Sequence, residues 1–505
     1  MNINRQSDEP VVPATSVNND ATEASAESTE ERGSTKRNAK QEALCRTQDR
    51  KQHKSRGLHG VREAARRPIG MGARSRLRFN NLLHHVNEDC LTEAFFNLKK
   101  TVAVGVDGVT WGEYESNLEA NITDLHDRIH RGAYRAKPCR RSWIPKPDGR
   151  QRPLGIASLE DKIVQQVVLW VLQSIYEQDF LGFSYGFRPN RGGHQALDAL
   201  TVAICDRQVN WILDADIQGF FDTIDHNWLI KFLEYRIGDR RMLRLIQKWL
   251  RAGVSEDGEW SKTTVGTPQG AVISPLLANV FLHYVFDLWI EWWRKNRCRG
   301  EVIVVRYADD FVMGFQHHDE AQACLEALRE RFAKFGLQLH PEKTRLIEFG
   351  RHAAERRQRR GEGRPETFDF LGFTHVVAKT RTHGRFTVHR YSISKRLRTT
   401  LHKVSEELRK RMHCPIGETG RWLRKVVQGW LNYHAVPFNS RQMSRFMKGV
   451  TRLWLYALRR RSQRGRGRWM WERIASLVAH HLPRPQIRHP YPHQRFYARL
   501  KVGAV

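Results

Sequence analysis

"VIVVRYADDFVMGF", from Val302 to Phe315, is the stretch on which the fold of this chain turns. Runs of β-branched and aromatic residues flank Asp309 and Asp310, so the segment reads as a hairpin with two carboxylates at its tip. Adjacent like charges repel, and Asn-Gly or Asp-Gly would turn an ordinary hairpin better. The repulsion vanishes when a divalent cation lies between the carboxylates. Hard cations such as Mg2+ take oxygen ligands and leave room for substrate phosphates. The pair alone supports either an acidic turn or a metal site.

"WILDADIQGFFDTIDH" (Trp211–His226) supplies a third carboxylate. It reads as a buried strand leading into a turn and a helix. Asp216 ends the apolar run, and the backbone carbonyl of Ile217 follows at once. Asp216, Asp309 and Asp310 together form a set suited to two metal ions and in-line nucleotidyl transfer. Strand alternation puts Asp214 on the face of Asp216 and makes it the alternative ligand. Asp222 and Asp225 read as residues of a helix start.

Composition points the same way. The 505 residues suggest two or three domains, and 40% hydrophobic content is enough for folded cores. A net charge of +31 calls for a polyanionic partner, nucleic acid before an anionic membrane surface. From Arg351 to Val505 there are 36 Lys and Arg against 8 Asp and Glu, so almost all of the excess lies in the last third. No apolar run approaches the roughly 18 residues of a spanning helix, and "MNINRQSDEP" has no signal-peptide pattern. The expectation is a soluble cytoplasmic protein without a membrane partner. Seven dispersed cysteines with no CxxC pair argue against a disulfide framework and against a zinc site.

Along the chain, residues 1–78 read as a disordered, then basic, arm. Residues 79–393 mix helices and strands, and residues 394–505 turn helical and basic. "RLWLYALRRRSQRGRGRWMWERI" interleaves aromatics with cations, and its Arg459, Arg460, Arg461, Arg464, Arg466 and Arg468 are suited to tracking phosphates.

"YADD" after an apolar strand, with "DADIQGFFD" upstream, resembles the polymerase palm of reverse transcriptases. The similarity continues in order through "GVDGVTW", "IPKPDGRQRPLGI", "SYGFRPNRGGHQAL", "GTPQGAVISPLLAN", "LHPEKT", "FDFLGF" and "WLRKVVQGWLNYHAVPFN". Together these blocks resemble a group II intron-encoded reverse transcriptase/maturase. The resemblance implies an α+β right-hand polymerase, with fingers and an antiparallel palm sheet, followed by an α-helical thumb or maturase domain. It implies Asp216, Asp309 and Asp310 as catalytic ligands of two Mg2+ ions, with the carbonyl of Ile217 beside them. Lys146 and Arg152 are implied as triphosphate contacts, and a guanidinium fork and a point charge suit phosphate oxygens. Phe221 would lie beneath the nucleotide sugar, with Phe220 its neighbouring competitor. Gln269 would sit near the nucleotide and Lys343 beside the primer end. Arg188 is implied as a template contact, and Arg421, Arg424 and Lys425 as an RNA face on a helix whose Trp422, Val426, Gly429, Trp430 and Tyr433 are mostly core.

The implied partners are intron RNA, an RNA template with a DNA primer or target, dNTPs and a second copy of the chain. The zinc-containing HNH endonuclease of some relatives is expected to be missing, since Cys414 is the last cysteine. Two rival readings stay open: an RNA-binding splicing cofactor with a secondary polymerase, and a domesticated bacterial reverse transcriptase.

Overall fold

The computed structural model describes residues 77–145, 151–256, 259–261, 265–380, 382–461 and 469–502. The first two strands, β1 (Cys139–Pro145) and β2 (Gln151–Ile156), pair antiparallel on either side of the "KPDG" stretch. Helix α1 (Leu159–Tyr176) follows, started by Ser158, whose hydroxyl accepts from the Asp161 N–H. Apolar residues surround α1 on most sides, and it runs through the largest core as an all-round apolar helix must. Next come α2 (Gly193–Asp206) and β3 (Trp211–Asp216). Two short strands, β4 (Val254–Glu256) and β5 (Glu259–Ser261), extend the first sheet to the order β2-β1-β4-β5.

Helices α3 (Ser274–Leu282) and α4 (Leu288–Asn296) are joined by a π-helical turn, His283–Asp287. The hairpin of β6 (Val302–Tyr307) and β7 (Asp310–Phe315), then α5 (His318–Ala333) and β8 (Arg345–Glu348), complete the central sheet. Its order is β6-β7-β3-β8, antiparallel throughout. Leu213, Ala215, Phe311 and Met313 face the largest core, while Ile212, Val305, Val312 and Ile347 face a second core shared with α2. A strand buried on both faces reads as a near-continuous apolar run, which is why "VIVV" lacks alternation. Asp214, Asp216 and Asp310 interrupt the second face.

A third sheet, β11-β10-β9, is built from β9 (Phe368–Phe370), β10 (Phe373–Lys379) and β11 (Phe386–Ser392). Then four helices share a core of their own: α6 (Ser394–Lys410), α7 (Ile416–His434), α8 (Ser440–Arg459) and α9 (Trp471–His481). Trp430 stacks on Phe446 at 4.1 Å inside it. The architecture is α+β. The last helix, α10 (Pro492–Val502), leaves this bundle and lies along α2. There Asp198, buried, accepts from Arg390 at 3.0 Å and from Arg495. Among the described residues no helix is long and apolar enough to cross a membrane. Their six cysteines are unbonded.

Candidate active site

Ala308 and Asp309 alone connect β6 to β7, with φ of +60° at Ala308. Positive φ at the first central residue only is the pattern of a type II′ turn, which favours glycine there. An alanine in this conformation costs about 1 kcal/mol, so the surroundings must hold it. Phe183–Gly186 runs beside β6: the Tyr185 N–H donates to the Arg306 carbonyl (2.8 Å) and the Arg306 N–H to that of Phe183 (2.9 Å). Gly186 presses on the turn so closely that a Cβ there would lie 2.2 Å from the Ala308 nitrogen.

Beneath the turn the Arg306 guanidinium is fully buried. It donates to both Asp287 oxygens (2.7 and 2.6 Å), Asn279 Oδ1 (3.0 Å), Ser184 Oγ (2.8 Å) and the Ala308 carbonyl (2.9 Å). These bonds occupy all five of its N–H groups. Asn279 Nδ2 in turn donates to the Gly186 carbonyl at 2.7 Å. The turn carrying Asp309 is thus tied to α3, to the π-turn and to the 183–186 segment through one cation. Sequence reasoning missed this network. Its signal was a lone arginine inside an apolar strand, since a buried arginine needs a full set of partners.

The carboxylates meet at the sheet end. Asp216 is the register partner of Asp310, and Asp214 of Val312, so all three aspartates share one face. Burial, then the charges of Asp214, Asp309 and Asp216, push the Asp310 carboxyl up to about 8. Burial likewise raises Asp214 to about 6, against the pull of Arg345 at 3.6 Å. Asp309 is raised by burial and by Asp216, and eased by Arg152 and Arg306. Lys343 Nζ lies 2.5 Å from Asp216 Oδ2. Among the described residues no three His, Cys, Asp or Glu side chains form a ready metal cage. Asp216 is instead paired with Lys343. The donors are all oxygen and their negative charge exceeds what nearby cations relieve, so the set fits hard divalent cations.

The backbone after Asp216 agrees. His340 N–H donates to the Asp216 carbonyl and Gln218 N–H to that of Gln338, both at 2.8 Å, around the bridge of Ile217 with Leu339. In such an antiparallel pair the central residue directs its own N–H and C=O to the other edge. The Ile217 carbonyl therefore faces the β7 side.

Phe220 is buried in the core, whereas Phe221 is half-exposed and meets it edge-on at 5.5 Å. The following loop is fitted to this turn: Thr267 N–H donates to the Phe221 carbonyl (2.7 Å) and Gly266 N–H to that of Ile224 (2.8 Å). At Gly266, φ is +88° and a Cβ would lie 2.9 Å from two carbonyl oxygens, so only glycine fits. The Gln269 carbonyl accepts from the Gly155 N–H at 2.7 Å, which ties the loop to β2. Arg152 stands exposed on β2. Lys146 lies outside the described residues.

The basic residues divide. Arg421, Arg424 and Lys425 are exposed on α7, while Leu423, Val427, Trp430 and Leu431 are buried; Trp422, Val426 and Tyr433 are half-buried and Gly429 is exposed. Arg459 and Arg460 are exposed, bonded to the Trp469 carbonyl and the Tyr456 hydroxyl. Two of the arginines expected at nucleic acid are turned inward. Arg188 is buried, forked on Glu177 (3.0–3.2 Å), bonded to the carbonyls of Leu181 and Ser184, and set over Phe180. Arg461 is half-buried and holds the carbonyls of Met412 and Cys414, which makes it a structural tie. Arg464, Arg466 and Arg468 lie outside the described residues.

A family model for reverse transcriptase (RNA-dependent DNA polymerase) matches residues 144–375. Protein YkfC of Escherichia coli K12 is 32% identical over 332 residues, 57% of this chain and 86% of that protein. Group II intron-encoded protein LtrA of Lactococcus lactis subsp. cremoris is 38% identical over 191 residues, 38% of this chain and 32% of LtrA. A putative COX1/OXI3 intron 1 protein of Saccharomyces cerevisiae is 35% identical over 225 residues, 44% of this chain and 27% of that protein. The chain therefore spans most of YkfC but only about a third or less of these two intron-encoded relatives. It belongs to the reverse transcriptase family, in its group II intron-encoded reverse transcriptase/maturase branch. The part matched is the RNA-directed DNA polymerase domain.

Proposed function

We propose that the chain extends a DNA primer on an RNA template with dNTPs, as a right-hand polymerase that also binds a group II intron RNA. In this reading the first and central sheets are fingers and palm, and α6–α9 form the thumb or maturase domain. The observation that carries it is the meeting of Asp216, Asp309 and Asp310 at one sheet end, with Arg152 and the Gly266–Gln269 loop beside them. Asp216, Asp309, Asp310 and the Ile217 carbonyl would hold two Mg2+ ions. When bound, such ions neutralise the charge that develops on the attacking and leaving oxygens of phosphoryl transfer. Arg152, with Lys146, orients the triphosphate. Lys343, beside Asp216, would hold the primer terminus, and the buried Arg306 network fixes the turn that presents Asp309.

Phe221, half-exposed beside the loop, closes the space a 2′-hydroxyl would need. Phe221→Ala is expected to relax discrimination against ribonucleotides by about 10- to 100-fold. Single-nucleotide incorporation of paired dNTP and rNTP substrates measures this, and an unchanged ratio would remove Phe221 from that role.

A second reading, mainly a splicing cofactor, draws on the exposed Arg421, Arg424 and Lys425 of α7. Asp309→Asn separates the two. Primer extension on an RNA template should vanish, while protein-assisted splicing of a group II intron RNA should persist. Equal loss of both, in a variant that still folds, would refute the division of labour between palm and helical bundle.

A further inference from the structure

One large cavity lies away from the aspartates. It is a groove of about 810 Å3 between the C-terminal end of α2, the β10–β11 hairpin tip and the start of α10. The third sheet separates the two places. At its near end Asp369 of β9 adds to the charge felt by Asp214, and Tyr433 O–H donates to the Leu371 carbonyl at 2.7 Å. Its far end, Lys379 opposite Phe386, lines the groove. The seven residues of β10 set these ends roughly 20 Å apart.

The groove combines fixed aromatic faces with cations. Phe438, 36% exposed, is stacked on His389 at 4.0 Å and 15°, and held in place by the buried Asn439 that follows it. Asn439 bonds the Ser392 N–H (3.0 Å) and hydroxyl (2.8 Å). Tyr491, 53% exposed, meets Phe438 edge-on at 5.7 Å. Around these rings stand Arg351, anchored on the Cys205 carbonyl at 3.1 Å, and the exposed Lys379 and Arg385. Two carboxylates also line it. Asp206 already accepts from His493 (3.0 Å) and from the Tyr497 hydroxyl (2.8 Å), and Glu355 faces His352 at 3.8 Å.

Exposed rings held from behind, with cations spaced along their rim, match unpaired bases stacked beside their own phosphates. A duplex buries its base faces and would leave the rings unused. An acidic peptide would use the cations but has no planar groups for Phe438 and Tyr491. We propose that this groove is a second nucleic-acid site, which holds a single-stranded RNA segment outside the primer–template cleft. The proposal rests on the reading of the chain as an RNA-binding polymerase.

The test uses the full chain, already loaded with a primer–template, titrated with a fluorescently labelled oligouridylate while anisotropy is read. Tyr491→Ala and Arg385→Ala change exposed side chains. Each is expected to weaken oligouridylate binding by about tenfold, with the salt slope falling by about one for Arg385→Ala. Tyr491→Phe should bind as the parent does, and primer extension on the loaded duplex should stay unchanged in all three. Oligouridylate binding that is indifferent to these substitutions would overturn the proposal. So would parallel losses of binding and extension, which would make the groove part of the main cleft. Displacement of the labelled oligouridylate by an acidic peptide at far lower concentration than by unlabelled oligouridylate would assign the groove to a protein partner and overturn it too. A parent chain that binds oligouridylate yet extends no primer would instead sink the polymerase reading.

Discussion

Asp310→Asn is expected to give a protein that is more stable and inactive. Desolvation of the half-buried Asp310 carboxyl, with the charges of Asp214, Asp309 and Asp216 added, pushes it up to about 8. The unfolded chain ionises this group near pH 4, so between pH 4 and 8 folding without a cation requires it to take up a proton. The sign follows: a carboxyl raised on folding contributes no penalty below its unfolded pKa. It costs progressively more as pH rises toward its folded value. At neutral pH the cost is on the order of a few kcal/mol. Asparagine removes that charge, so thermal denaturation in the presence of a chelator should show a higher Tm for Asp310→Asn at pH 7 and little difference at pH 4. Added divalent cation should raise the Tm of the parent and barely move the variant. Primer extension should fall by on the order of a thousandfold or more, the equivalent of several kcal/mol of lost transition-state stabilisation. A variant less stable than its parent under chelation would mean that the carboxylates are not in conflict.

Asp287→Ala should do the opposite. It leaves Arg306 as an unpaired charge with no exposed surface, and loss of one partner of a buried ion pair costs about 3–5 kcal/mol. Chemical denaturation gives that number directly. The paired replacement Arg306→Met with Asp287→Leu should recover much of the stability, since an apolar pair of similar volume avoids the desolvation cost. It should not recover primer extension, because nothing then holds the Ala308 carbonyl, and with it the turn that carries Asp309. The loss should fall on kcat more than on KM, since Arg152, the triphosphate contact proposed on β2, is untouched. Stability and kcat recovering together would reduce the network to a packing device.

How much of this could be read from residues alone differs from one side chain to the next. Asp216 and Asp310 were legible because a carboxylate that ends or interrupts an apolar strand is a local anomaly, visible without any partner. The exposed face of α7 was legible because 3.6-residue spacing separates Arg421, Arg424 and Lys425 from Leu423 and Val427. Phe220 and Phe221 were not separable, since adjacent residues in a one-turn helix are sorted only by what packs on them. The burial of Arg188 and Arg306 was out of sight for one shared reason. Whether an arginine meets solvent depends on distant groups, here Glu177 across a turn and Asp287 on another element. The groove beside α10 was out of reach altogether, because its walls come from scattered stretches between Thr201 and His493.

That same docking of α10 has a kinetic side. Asp198 is satisfied by Arg390 and Arg495, which lie 192 and 297 positions away along the chain. Contacts of such long sequence separation form only after most intervening structure exists, so they belong to the late side of the folding barrier. Interactions absent from the transition state slow unfolding without hastening folding. The two arginines on Asp198 are therefore expected to act on how long the folded chain survives more than on how fast it is made, which unfolding and refolding rates of Arg495→Ala would check.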